Sequence, residues 1–197
     1  MKCKRLLLSI LLLLTVLVGC GESRINTLAT RSFSFEHDME GWVAKGTDLD
    51  NPTVEWSIDR SIDIASDKET AIRLYLNNLN DAGKIWIEQI FYTQANQDYH
   101  VSLAYDFATA DWGDINLWTI IASASPQPPV PGLLFQESTG NNAQPEDGFV
   151  WLTKSYDFNV RSSSDGKLYI IIGVWGTWET ARTYYIDNVT ISFSMIA

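Results

Sequence analysis

Val101-Ser102-Leu103-Ala104-Tyr105-Asp106-Phe107 sets an apolar side chain at every second position. In an extended chain successive side chains point to opposite faces, so this stretch predicts a half-buried strand. Val101, Leu103, Tyr105 and Phe107 turn to a core, and Ser102 and Asp106 turn away. The same period continues in both directions along the chain. Phe33 and Phe35 alternate with polar neighbours, as do Val54, Trp56 and Ile58; Ile72, Leu74 and Leu76; Ile85 and Ile87; Ile115, Leu117 and Ile121; and Val189, Ile191 and Phe193. Leu168 to Trp175 is apolar on both parities, which predicts a central strand covered on both faces; a buried helix is the other reading, and the β-branched content favours the strand. Turn chemistry recurs at Asn77-Asn78, Asp81-Ala82-Gly83, Asn96-Gln97 and Asp165-Gly166. Sustained helical spacing is missing, so many strands joined by turns predict an all-β sandwich or barrel. Ser123 to Gly148 holds five of the six prolines and is too long for a bare connection. It reads as a folded-back loop with a short strand near Leu133-Leu134-Phe135.

The N-terminus has a different grammar. Met1-Lys2-Cys3-Lys4-Arg5 is a positive cap, Leu6 to Val18 is apolar, and Gly19-Cys20-Gly21 follows, the pattern of an export signal. The apolar run is shorter than the ~20 residues a spanning helix needs. Leu17-Val18-Gly19-Cys20 resembles the lipobox of bacterial lipoproteins. That resemblance implies cleavage before Cys20, diacylglyceryl and palmitate attachment there, and anchoring in a membrane through the lipid. Gly21 in the following position leans, by the same resemblance, toward the outer membrane or cell surface. The expected organisation is a signal peptide over 1–19, a lipidated tether over 20–31 and one domain over 32–197. Cys3 leaves with the signal and Cys20 is consumed by lipid, so no disulfide is available and stability must come from burial. With Lys2, Lys4 and Arg5 gone, eleven basic residues face 24 acidic ones, a net charge of −13. Such a surface excludes nucleic acid as a partner and suits neutral ligands or cations.

Phe33-Ser34-Phe35-Glu36 with Glu40-Gly41-Trp42 opens the domain and Tyr184-Tyr185-Ile186-Asp187-Asn188-Val189 closes it, and both ends resemble bacterial carbohydrate-binding modules with a galactose-binding-like jelly-roll fold. The first is similar to their opening strand and turn, and the second to their closing strand. Ala71 to Leu76, Lys84 to Glu88 and Asp98 to Leu103 fall where the family has core strands. The resemblance implies a jelly-roll β-sandwich and a non-catalytic carbohydrate partner at the cell envelope. A structural or protein-binding envelope lipoprotein is the alternative, and a small glycoside hydrolase a remote one. It also implies a structural Ca²⁺ tying first strand to last, with Glu36 and Asp187 at the matching positions. Asp187 shares parity with Val189 and Ile191, and an inward acid needs a partner. Hydrogen bonds from backbone amides or Arg would serve as well as a cation.

Opposite the core parity, the strands carry Arg73 and Tyr75, Trp86 and Glu88, Asp106, Asn116 and Trp118, and Trp175. Sugars need flat aromatic surface for their C–H faces and planar polar groups for their hydroxyls, so these residues are the candidate ligand face. The competing reading packs the aromatics under the proline-rich loop, with Arg73 paired to Asp106 or Glu88. Trp112 and Trp178 lie in turns from which they reach a rim. Glu36-His37-Asp38-Met39-Glu40 spells alternate carboxylates of the kind glycosidases use, but abuts the Gly41-Trp42 turn. His37 and His100 have no nucleophile or zinc constellation in sequence.

Overall fold

A computed structural model describes residues 30–110, 118–129, 149–176 and 180–196. Cys20 and the expected tether as far as residue 29, the body of the proline-rich loop with Leu133-Leu134-Phe135, and Trp112, Asn116 and Trp178 lie outside the described residues, while Thr30 and Arg31, expected in the tether, begin the first strand. Those described form ten strands and no helix: β1 (Thr30–Phe33), β2 (Val43–Thr47), β3 (Glu55–Ser61), β4 (Ala71–Asn77), β5 (Lys84–Tyr92), β6 (Asp98–Thr109), β7 (Trp118–Ser125), β8 (Val150–Arg161), β9 (Lys167–Gly176) and β10 (Ala181–Met195). One sheet runs β3-β4-β10-β6-β8, with β1 also on β10, and the other runs β2-β5-β9-β7. Every pairing is antiparallel.

The alternating side chains fill the space between the sheets. Ile72, Leu74 and Leu76 of β4, Val101, Leu103, Tyr105 and Phe107 of β6, and Ile85 and Ile87 of β5 are buried in one core cluster. Each such side chain contributes about 1.5–3 kcal/mol of transfer free energy, which holds the sandwich without a disulfide. β9 is a central strand as its composition requires. Leu168, Ile170, Ile172 and Val174 face the core, while Ile171 joins Trp86 and Ile121 in a second apolar cluster on the outer face. Gly173 sits where β5 passes closest, and a Cβ there would collide with the Ile85 carbonyl and the Trp86 backbone.

β10 carries two partners in tandem on one flank. Its first half, Ala181 to Ile186, pairs with β4, and Val189 to Ser192 pairs with β1. Between the halves the register with β6 slips by one residue, from Asp187↔Asp106 to Thr190↔Ala104. Asn188 takes up the extra residue in the left-handed region, φ 49. This β-bulge lets Ile186 and Val189 both face the core. It also corrects the parity expected for Asp187, which points to the outer face, away from Val189 and Ile191.

β7 departs from expectation in the same way. Trp118, Ile120 and Ala122 are the core residues, so Trp118 belongs to the inter-sheet core and not to a ligand face. It is 1% exposed, stacked on Phe107 at 5.5 Å and edge-on to Tyr184 at 5.3 Å. The adjacent pair Ile120-Ile121 offers an apolar residue to either face, so alternation alone does not choose between the two parities.

Candidate functional site

The outer face of the larger sheet presents one continuous polar and aromatic row. Register places Asp59 of β3 beside Arg73 of β4, Arg73 beside Tyr185 of β10, Tyr185 beside Ala108 of β6, and Ala108 beside Trp151 of β8. At about 4.8 Å per strand the row crosses roughly 19 Å of surface. Tyr75 lies one step along β4, and the Arg73 guanidinium sits 5.6 Å from its ring centre. Phe149, just before β8, meets Tyr185 edge-on at 5.0 Å, and Trp151 lies 6.4 Å from the same ring. Tyr185 is the buried hub. Arg73, Tyr75 and Trp151 are half-buried, and Asp59 and Phe149 are exposed, so the row keeps open aromatic edges flanked by charge.

The connection 62–70 walls one side of this row. Ile64 and Ala65 pack on the cluster of Ala71, Ala108 and Tyr185, and the Tyr185 hydroxyl donates to Asp63 at 3.3 Å. Burial and then the Asp63 carboxylate push the Tyr185 phenol above its ordinary pKa, while Arg73 opposes them. At the end of the face beside Phe149, a cavity of about 340 Å³ is lined by Thr109, Ala110 and Thr180 to Thr183.

Of the residues singled out in the sequence, the structure brings Arg73, Tyr75 and Asp106 to this face. Asp106 lies in the next row, accepting from Thr153 Oγ1 at 2.7 Å, Ser66 Oγ at 2.9 Å and Asn188 Nδ2 at 3.2 Å. Trp86, Glu88 and Trp175 are on the opposite side of the sandwich, on the outer face of the smaller sheet. There Trp86 Nε1 donates to Glu88 at 3.4 Å, and Trp175 Nε1 to the Asp81 carbonyl at 3.0 Å. The seven residues therefore divide between two outer faces and a core. Trp151, Tyr185 and Phe149 are not among the candidates of the sequence, where the apolar parity of β8, Val150, Leu152, Tyr156, Phe158 and Val160, is interrupted at Lys154.

Glu36 and Asp187 are each engaged by backbone amides of the connection 62–70. Glu36 Oε1 accepts from the amides of Glu69 at 3.3 Å and Thr70 at 3.2 Å. Asp187 Oδ2 accepts from the amides of Ser66 and Asp67, both at 2.9 Å, and its Oδ1 from Asn188 at 2.7 Å. Burial holds the Asp187 carboxyl above its ordinary pKa, against the pull of these N–H groups. No group of three His, Cys, Asp or Glu side chains with metal-ligand geometry occurs among the described residues. Amide N–H groups take Glu36 Oε1 and Asp187 Oδ2, and the Arg60 guanidinium takes the Phe35 and Glu36 carbonyls, so these oxygens are turned to hydrogen-bond donors in an arrangement that does not fit a Ca²⁺ ion.

The acidic run after Phe35 is a turn and not a strand. Asp38 Oδ1 accepts from the Glu40 amide at 2.6 Å and Glu40 Oε2 from the Ser34 amide at 3.0 Å, so the carboxylates cap backbone and do not line a cleft. His100, Ser102 and Asp157 meet on β6 and β8, but the Ser102 hydroxyl donates to Asp157 at 2.6 Å, His100 Nε2 lies 3.3 Å from both Ser102 Oγ and Asp157, and its Nδ1 faces Asn159 at 3.0 Å, with no carboxylate on that nitrogen. A nucleophilic relay needs the hydroxyl to donate to the imidazole and the carboxylate to hold the other ring nitrogen, which is not this arrangement.

No family model matches the sequence, and no curated protein matches it. Solved structures do match in fold. A cleaved adhesin domain of Lys-gingipain from Porphyromonas gingivalis superposes with a TM-score of 0.50 at 14% identity, over 83% of this chain and 97% of that one. A xylan-binding domain of carbohydrate-binding family 22 gives 0.46 at 16% identity, over 85% and 96%. The C-terminal family 22 module of a Clostridium thermocellum protein gives 0.46 at 14%, over 83% and 92%. At these identities the likeness speaks to architecture, and the architecture is an all-β jelly-roll sandwich of two antiparallel sheets.

Proposed function

We propose that this domain is a non-catalytic module that binds a neutral polysaccharide along the outer face of the larger sheet, carried on an exported protein anchored at the cell envelope through lipid on Cys20. One observation carries the reading: the row Asp59, Arg73, Tyr185, Trp151, with Tyr75 and Phe149 beside it, combines stacking surface with planar donors and acceptors. Several fold neighbours are xylan-binding domains, which supports a carbohydrate as the partner. The net charge and the carboxylates Asp59, Asp63 and Asp106 on the face favour neutral over uronic chains.

Affinity gel electrophoresis with Cys20→Ser protein, unlipidated, tests the reading on xylans, glucans and mannans. Trp151→Ala, Tyr75→Ala and Arg73→Ala each weaken retention tenfold or more, which is about 1.4 kcal/mol, while melting stays near that of the parent. Retention untouched by all three, or absent on every neutral polysaccharide, turns the assignment toward a protein-binding surface. Membrane fractionation tests the anchor: Cys20→Ala moves the protein from the membrane to the soluble fraction.

A further inference from the structure

The two carboxylates expected to hold calcium grip one short stretch of backbone instead. Asp187 binds the amides of Ser66 and Asp67, and Glu36 binds those of Glu69 and Thr70. Lys68 lies between the two pairs with φ 57, a left-handed residue that divides the run of amides between two acceptors. A side-chain cation completes the arrangement. Arg60 Nε donates to the Phe35 carbonyl and Arg60 Nη2 to the Glu36 carbonyl, both at 2.6 Å, and Nη2 lies 3.4 Å from Thr70 Oγ1. Carbonyls and carboxylates at the exit of β1 and at the bulge of β10 are the hard oxygens an alkaline-earth ion collects. Here N–H dipoles and a guanidinium hold them.

We infer that this clasp takes the place of the structural cation that the sequence resemblance implies, so residues 62–70 stay closed over the outer face without any divalent ion. A covalently supplied cation has no dissociation constant to satisfy, and the wall beside Tyr185 keeps its shape in an ion-poor medium. The further consequence, that glycan retention is equally indifferent to chelators, rests on the function proposed above. The wall itself does not.

Thermal melts of the Cys20→Ser protein in excess EDTA and in millimolar calcium test the clasp. The two midpoints coincide, terbium gives no saturable sensitised emission, and Glu36→Gln and Arg60→Met each lower the midpoint equally in both media. The Arg60→Met shift is roughly 2–6 °C, from loss of partly exposed charged hydrogen bonds. A midpoint raised by calcium, or one-to-one terbium emission that Glu36→Gln abolishes, overturns the inference. So does an Arg60→Met protein that melts like the parent. If a variant does not fold, the terbium titration of the parent still decides. Retention absent in both media with chelator-insensitive melting counts against the glycan reading and leaves the clasp standing.

Discussion

Replacing Trp118 by Ala separates a core tryptophan from a ligand-binding one. Trp118 is 1% exposed, packed between Phe107 and Tyr184 where β7 faces β6 and β10. Truncating a buried Trp to Ala costs about 3–5 kcal/mol in transfer and cavity terms. Two ring contacts, each worth about 0.5–1.5 kcal/mol beyond area, place this site toward the upper end of that range. For a domain of this size each kcal/mol moves the midpoint by about 2–4 °C, so the melt falls by roughly 6–20 °C. Far-ultraviolet circular dichroism follows the unfolding, and affinity electrophoresis in the cold reports binding by the molecules still folded. Trp118→Ala loses stability and keeps its affinity, the reverse of Trp151→Ala. A Trp118→Ala protein that melts normally yet releases polysaccharide would refute the placement of this ring between the sheets.

Gly173→Ala drives a methyl into the Ile85 carbonyl and the Trp86 backbone, so the urea midpoint drops by an amount corresponding to about 1–3 kcal/mol or more. Burial raises the Asp187 carboxyl, so the folded state takes up this proton more readily than the unfolded chain. The contribution is full below the unfolded value of about 3.9 and is lost as pH rises through the folded value. Denaturation against pH therefore shows the parent losing ground to Asp187→Asn across that interval; a constant gap contradicts the linkage. Lys154 points inward on the edge strand β8, where burial lowers its amine pKa, and an inward charge on an edge discourages strand addition from another molecule. Lys154→Met accordingly increases concentration-dependent self-association in sedimentation velocity, and an unchanged monomer profile removes that role.

Period-two alternation made most of the sandwich legible, because a strand with one buried face must repeat its apolar residues every second position. It located β4, β5, β6 and the second half of β10, and an unbroken apolar run located β9. β8 escaped because Lys154 breaks its apolar parity, and Trp151 was lost with it. The bulge at Asn188 was invisible for a different reason: one inserted residue inverts every later side chain, and nothing in Asp187-Asn188-Val189 announces the insertion. Arg73 and Trp86 expose the deeper limit. Alternation states which side of its own strand a residue occupies but not which sheet that strand joins. Two non-core residues consequently ended on opposite sides of the molecule. The aromatic row depends on pairings between strands far apart in sequence, such as Ala108 with Trp151, that hydrophobic pattern does not encode.

The tandem pairing of β10 also decides where tension enters the molecule. Any pull on the N-terminal side of the chain reaches β1 first, four residues zipped to the second half of β10. Because β4 is fastened to the first half, β1 can peel away while Arg73, Tyr185 and Trp151 keep their neighbours. The short strand is thus a mechanical fuse, yielding under load before the row it shields comes apart.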